Sequence, residues 1–234
     1  MALPKLKLPL YELTFPSSGK TIKYRPFVVK ERSILLLALQ EGKMDGVLLA
    51  LDEIFKACTF NVCNLKDMPI VDSEFLFISL RSKSIGEDLD VIHNCEFCDK
   101  ANEVKLSLEE ITVEGKAGSN DIDLGGGIFI KMKYPSLTST SVLSSEPTED
   151  DILNVIASSI DCIIEGQSVH NSEDSTKEEL KEFVLGLTQA QLNKIEEFFN
   201  SIPKIVARKK YNCKNKECGK ENDVVIEGLE NFFD

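Results

Sequence analysis

Four of the seven cysteines in this 234-residue chain stand in two pairs, Cys95-x2-Cys98 in NCEFCDKANEVKL and Cys213-x4-Cys218 in NCKNKECGKENDVVI. A cysteine pair at such spacing grips a soft divalent ion, and two pairs supply the four thiolates of a closed tetrahedral zinc site. The two segments agree beyond the cysteines: Cys98, Lys100, Asn102 and Val104 fall in step with Cys218, Lys220, Asn222 and Val224. Both runs then alternate apolar and charged residues, which is the period of a strand. The sequence therefore predicts two strand-bearing knuckles clamping one structural zinc through Cys95, Cys98, Cys213 and Cys218. Unliganded thiols and a redox pair are the competing readings. A thioredoxin-like Cys-x-x-Cys opens a helix that lowers the thiol pKa, whereas the residues after Cys98 have the pattern of a strand.

A compact zinc ribbon carries roughly 15 to 20 residues between its pairs; here 114 residues separate Cys98 from Cys213. Loop closure adds only about 0.6 kcal/mol per doubling of length, and structural zinc is worth roughly 10 kcal/mol or more in finger peptides. The long separation is thus compatible with one site, and it implies that the C-terminal strand joins a body begun near residue 95.

Other candidate chemistry is thin. A catalytic zinc keeps an open position and a general base nearby, and four thiolates leave neither. His93 lies two residues before Cys95 and is an alternative ligand, though four cysteines suffice; it reads as a strand-borne surface residue. His170 falls in the polar run QSVHNSED and reads as solvated loop. Glu149-Asp150-Asp151 and Glu178-Glu179 stand at predicted helix starts, where negative charge complements the dipole. Gly125, Gly126 and Gly127 lack a following Gly-Lys and lead into a strand, so they read as a turn rather than a phosphate loop. Cys58-x4-Cys63 copies the spacing of the second pair, but Cys58 closes an apolar helical stripe and Cys162 lies within another, where cysteine behaves as a small hydrophobe. With no nucleophile elbow, Walker loop or HExxH motif present, the reading is non-enzymatic.

The charge balance bears on partners. Arg208, Lys209, Lys210, Lys214, Lys216 and Lys220 crowd the second knuckle with Tyr211 among them, the pattern of a zinc ribbon adaptor that binds nucleic acid. Cations there also offset the net negative charge of a four-thiolate site. Against 27 Lys and Arg the chain has 39 Asp and Glu, a net charge of −12, which opposes general binding to nucleic acid or anionic membranes. No apolar run approaches the roughly 18 residues of a membrane span. The start MALPKLKLPLYEL lacks the pattern of a secretory signal, so the expectation is a soluble, intracellular protein with reduced cysteines.

The elements that must position the knuckles follow from periodicity. Residues 10–27 read as a hairpin about a Pro-Ser-Ser-Gly turn, with Leu13 and Phe15 on one arm and Ile22 and Tyr24 on the other. Three apolar helices follow: one from Val29 with Ile34, Leu35, Leu37 and Ala38, closed by Gly42; one over Asp45–Ala57; and one N-capped by Asp72 and running to Gly86. Alternation returns over 88–113, a strand GIFIKMKY follows the glycines, and 135–147 is an exposed Ser/Thr-rich connection. Capping boxes at Thr148-x-x-Asp151, Ser175-x-x-Glu178 and Thr188-x-x-Gln191 start three further helices, the first drawn through DILNVIASSIDCIIEG. Pro203 ends the last, IVARKKYNC and DVVIEGL are the strands flanking the second knuckle, and Phe232 and Phe233 either tuck onto the core or face a neighbour. The predicted class is α+β: an N-terminal β-hairpin and helical subdomain over 1–87, then zinc-ribbon-like strands over 88–234 with a helical insert at 148–202.

The run LPKLKLPLYELTFPSSGKTIKYRPFVVKERSILLLALQEG, residues 3–42, resembles the opening of the T4-type bacteriophage baseplate protein family: a Pro-Lys lead, a hairpin with a Ser-Gly-Lys turn, a Tyr-Arg-Pro-Phe segment and a Lys-Glu-led apolar helix. The resemblance implies a structural or assembly component of the central baseplate hub of a contractile-tailed phage, one member of a multi-subunit assembly that binds other tail proteins. It would be found in the virion tail baseplate, or in the host cytoplasm during assembly. The structural zinc is read from the cysteines and not from the family.

Overall fold

The computed structural model describes residues 6–115, 119–141 and 147–233. In chain order its elements are β1 (Tyr11–Thr14), β2 (Thr21–Tyr24), α1 (Val29–Glu41), α2 (Met44–Cys58), α3 (Ile70–Ser84), β3 (Asp88–Asn94), β4 (Ala101–Ser107) and β5 (Thr112–Glu114). Then come β6 (Asp121–Gly125), β7 (Ile128–Met132), α4 (Leu137–Thr140), α5 (Glu149–Ser158), β8 (Ile160–Glu165), β9 (Ser168–Asn171), α6 (Lys177–Leu185), α7 (Gln189–Ser201), β10 (Lys204–Asn212) and β11 (Glu221–Ile226). The class is α+β, with the strands in small antiparallel sheets. The chain forms two compact units, one of residues 1–64, 71–114 and 204–234, the other of residues 65–70 and 115–203.

In the first unit, β1 and β2 pair with Leu13 opposite Ile22, and Leu13, Phe15, Ile22 and Tyr24 are buried. Arg25 reaches the Glu31 carboxylate at 2.8 Å, and Glu31 also accepts the Val28 N–H at 2.6 Å, which anchors the start of α1. Gly42, at φ 66°, closes that helix by donating to the Leu39 carbonyl, the left-handed cap that glycine adopts at least cost. Of the apolar residues in α1 only Leu35 is buried, whereas α2 buries Val47, Leu48, Leu51, Ile54 and Phe55. α3 begins two residues before the expected cap. Asp72 lies inside its first turn, and its buried carboxylate accepts the backbone N–H and hydroxyl of Ser17, tying the hairpin turn to the helix. Burial raises the Asp72 pKa, partly offset by those two bonds. Phe232 is buried, and Phe233 packs edge-on against Phe77 with centroids 5.2 Å apart, so the terminal aromatics tuck onto this core.

The second unit is a four-stranded meander, β6-β7-β8-β9, whose core joins Ile122, Ile130, Met132 and Ile160 to Ile156, Val184, Ile195 and Phe198 of the helices. Gly125, Gly126 and Gly127, with φ of 83°, 65° and 82°, form the turn from β6 into β7; sequence placed only the second of these strands. The helix drawn through DILNVIASSIDCIIEG ends at Ser158. The Ser159 hydroxyl donates to the Val155 carbonyl at 2.8 Å, and the β-branched run that follows is β8, between β7 and β9. Cys162 is therefore a buried strand residue, and His170 an exposed residue of β9 rather than of a loop. The connection at 135–147 holds the short helix α4, capped by Ser136, and pairs Ser136 with Pro69; residues 142–146 lie outside the described residues.

The capping boxes at Thr148 and Thr188 form as expected, while the box of α6 is set by Thr176 and Glu179, one residue later than Ser175 and Glu178. The Thr188 side chain accepts the Gln191 N–H, and Gln191 answers the Thr188 N–H at 2.8 Å and donates to the Leu124 carbonyl. Thr188→Ala should therefore cost about 1 kcal/mol of unfolding free energy in urea titration, the usual loss of an N-cap hydroxyl.

Candidate metal centre

The two cysteine pairs occupy the turns of two antiparallel hairpins, β3–β4 and β10–β11. In the first turn the Cys95 N–H donates to Lys100 O at 3.0 Å and the Asp99 N–H to Cys95 O at 2.8 Å. In the second the Cys213 N–H donates to Lys220 O at 2.9 Å and the Gly219 N–H to Asn215 O at 2.9 Å. Asp99 and Gly219, each just after the second cysteine, both take left-handed backbone at φ 57° and 56°; Gly and Asp are among the residues that tolerate it. The internal repeat seen in sequence is thus a repeat of backbone conformation.

Across the two turns the four Sγ atoms lie within 4.8 Å of one another. Cys95 and Cys218 are 3.8 Å apart, Cys98 and Cys213 3.6 Å. A tetrahedral ion with metal–sulfur bonds of about 2.3 Å requires sulfur–sulfur edges of about 3.8 Å, so these residues fit such an ion. A disulfide would need about 2.05 Å. Cys95 and Cys213 are buried, Cys218 is half-buried and Cys98 faces solvent. Burial pushes the Cys95 thiol up, but donors from the Phe97 and Cys98 backbone and from Asn222 outweigh it and bring the pKa down to about 6. The Lys220 N–H lowers the Cys218 thiol, yet burial and the facing Cys98 and Cys95 leave it raised to about 11. Four sulfurs this close cannot all ionise without a cation among them, and a divalent ion is the natural one.

Two asparagines complete the arrangement. Asn102 and Asn222, only 1% and 3% exposed, occupy matching positions of the repeat. Each donates from Nδ2 to the lysine carbonyl two residues before it, Asn102 to Lys100 at 2.7 Å and Asn222 to Lys220 at 2.9 Å. Each then crosses to the other knuckle: Asn102 Oδ1 accepts the Lys214 N–H at 2.8 Å, and Asn222 Oδ1 the Glu96 N–H at 3.0 Å. Lys214 and Glu96 directly follow the first cysteine of each pair. A third matched pair also meets, His93 Nδ1 and Tyr211 Oη at 2.9 Å, with the rings edge to face. His93 is engaged there, outside the sulfur set. Sequence placed both asparagines in step without assigning them a task; the in-step repeat was the signal that could have done so.

The basic run is largely occupied. Arg208 pairs with Glu114 at 2.9 Å and lies 3.7 Å from Asp223, Lys209 reaches Glu110 at 3.4 Å and Lys210 reaches Glu221 at 3.3 Å. Lys214 donates to the Glu103 carbonyl and Lys220 sits 4.3 Å over the Phe97 ring. Cys58 and Cys63 are buried outside the sulfur set, and burial pushes the Cys58 thiol up to about 12. Asp151 and Glu179 serve as helix caps whose hydrogen bonds to Thr148 and Thr176 lower their pKa values. Among the described residues no helix is long and apolar enough to cross a membrane.

The chain is α+β, and its four gathered thiols could hold a metal ion. The chain belongs to the T4 bacteriophage base plate protein family, which matches residues 8–234, well beyond the N-terminal stretch that first resembled it. It is 28% identical over 229 residues to the baseplate hub assembly protein gp26 of Enterobacteria phage T4, covering 96% of this chain and 99% of that protein. No solved structure matches it. These relationships support a structural or assembly role in the baseplate.

Proposed function

We propose that the chain is a non-enzymatic component of the baseplate hub of a contractile-tailed phage, built in or acting during assembly, and that it works by binding other tail proteins. The observation that carries this reading is the family match across residues 8–234. The sulfur geometry supports a structural zinc at Cys95, Cys98, Cys213 and Cys218. Bound there, zinc would supply metal–sulfur bonds joining β3–β4 to β10–β11 across 114 intervening residues. The protein's own residues do the remaining work: the turn amides orient the thiols, the asparagines hold the turns, and the hairpins present a rigid face. The β1–β2 hairpin and the exposed Val29, Leu36 and Leu37 of α1 offer a second surface for partners.

The carboxylates beside Arg208, Lys209 and Lys210 weigh against the nucleic-acid adaptor reading, because they offset the local positive charge on which phosphate binding draws. Mass spectrometry of purified virions and of complexes captured from infected cells should recover the chain with tail proteins. Robust, steeply salt-dependent DNA binding in gel-shift assays, with no tail partner recovered, would overturn the proposal.

A further inference from the structure

We propose that Asn102 and Asn222 are positioning residues that dock the two knuckles before any ion arrives, so that the metal loads into a folded, preorganised set of thiols. This rests on the metal reading above. The four asparagine bonds, 2.7 to 3.0 Å long, join side-chain amide to backbone and need no ion, although each asparagine also faces a ligand sulfur, Asn102 Nδ2 lying 3.8 Å from Cys213 Sγ and Asn222 donating toward Cys95. Each side chain is first locked to its own turn through Nδ2 and then spans to the opposite turn through Oδ1. It lands on the amide beside a ligand cysteine, which fixes the backbone from which Cys95 or Cys213 projects. Both side chains are shut from water, so breaking the cross-bonds would strand a buried carbonyl oxygen and a backbone N–H on each side, a state that folded proteins avoid. The His93–Tyr211 contact adds a further metal-independent joint between the same hairpins. The clasp is reciprocal, like the contact between two copies related by a dyad, though here one chain supplies both halves. Exposed Cys98 marks the side from which an ion would enter.

The test uses the full chain stripped with a chelator. Hydrogen exchange should show the Glu96 and Lys214 amides protected without metal, and cobalt(II) should then give the absorption of a four-sulfur tetrahedral site. Asn102→Ala should speed exchange at the Lys214 amide, Asn222→Ala at the Glu96 amide and the double variant at both, and cobalt affinity should fall on the order of 10- to 100-fold, the usual loss when a partner behind a ligand is removed. The single variants, each keeping one cross-bond, give the answer if the double variant does not fold. Fast exchange at Glu96 and Lys214 in the stripped wild type would overturn the proposal, since the ion would then be making the clasp. So would an unchanged cobalt affinity in the variants. Failure of the wild type to give any four-sulfur spectrum would instead overturn the metal reading, and with it the loading step.

Discussion

Protein carrying Cys95→Ser and Cys213→Ser together should bind no metal where the wild type binds one equivalent, and should unfold at markedly lower denaturant. The pair takes one ligand from each knuckle, and these are the two buried sulfurs. Two sulfurs then remain, one exposed and one half-buried, too few to hold a structural ion closed to water. An ion that binds only the folded state stabilises it in proportion to the logarithm of its free concentration over Kd, about 4 kcal/mol at a thousandfold excess. That stabilisation disappears in the double variant. Metal analysis of purified protein and urea titration with and without chelator provide the readouts. Zinc persisting at one equivalent would show that other residues hold it, and a chelator that leaves the wild-type midpoint unmoved would show that the ion contributes nothing to stability.

That these four cysteines come together was legible in sequence because the two pairs repeat a local pattern. The hydrogen bonds that dock the pairs were not. The hydrogen bond that the Lys214 N–H donates to Asn102 Oδ1 joins residues 112 apart, and no local period encodes it. The miss at β8 has a different origin. Ile156, Ile160, Ile163 and Ile164 stand at spacings that suit one face of a helix as well as a strand, and periodicity alone does not separate the two in a short apolar run. What decides is Ser158-Ser159, where hydroxyls turn back on the Val155 carbonyl and the helix stops. Cap positions moved by a residue for a similar reason: Ser175 and Thr176 both offer a hydroxyl, and only the backbone reveals which one meets a carboxylate three residues on. The three N-terminal helices were found because their apolar content is strong, but their burial was not, since a stripe states that it needs cover without saying from what.

That last distinction yields the other large effect, in a contrast between neighbouring helices. Phe55→Ala should cost about 3 to 5 kcal/mol, the range for emptying a phenylalanine site in a closed core, because Phe55 is 0% exposed on the face of α2 that also buries Leu51 and Ile54. Leu37→Ala in α1, at 60% exposure, should shift stability by less than about 0.5 kcal/mol, the usual range for surface substitutions. Both lie in helices that sequence reads as apolar, and the pattern alone does not say which of the two residues is covered; burial separates them. Urea titrations of the two variants at matched concentration measure the difference directly. If Leu37→Ala instead lost as much as Phe55→Ala, the outer stripe of α1 would be part of the core of the isolated chain. The reading that leaves this stripe free for a tail-protein partner would then fall.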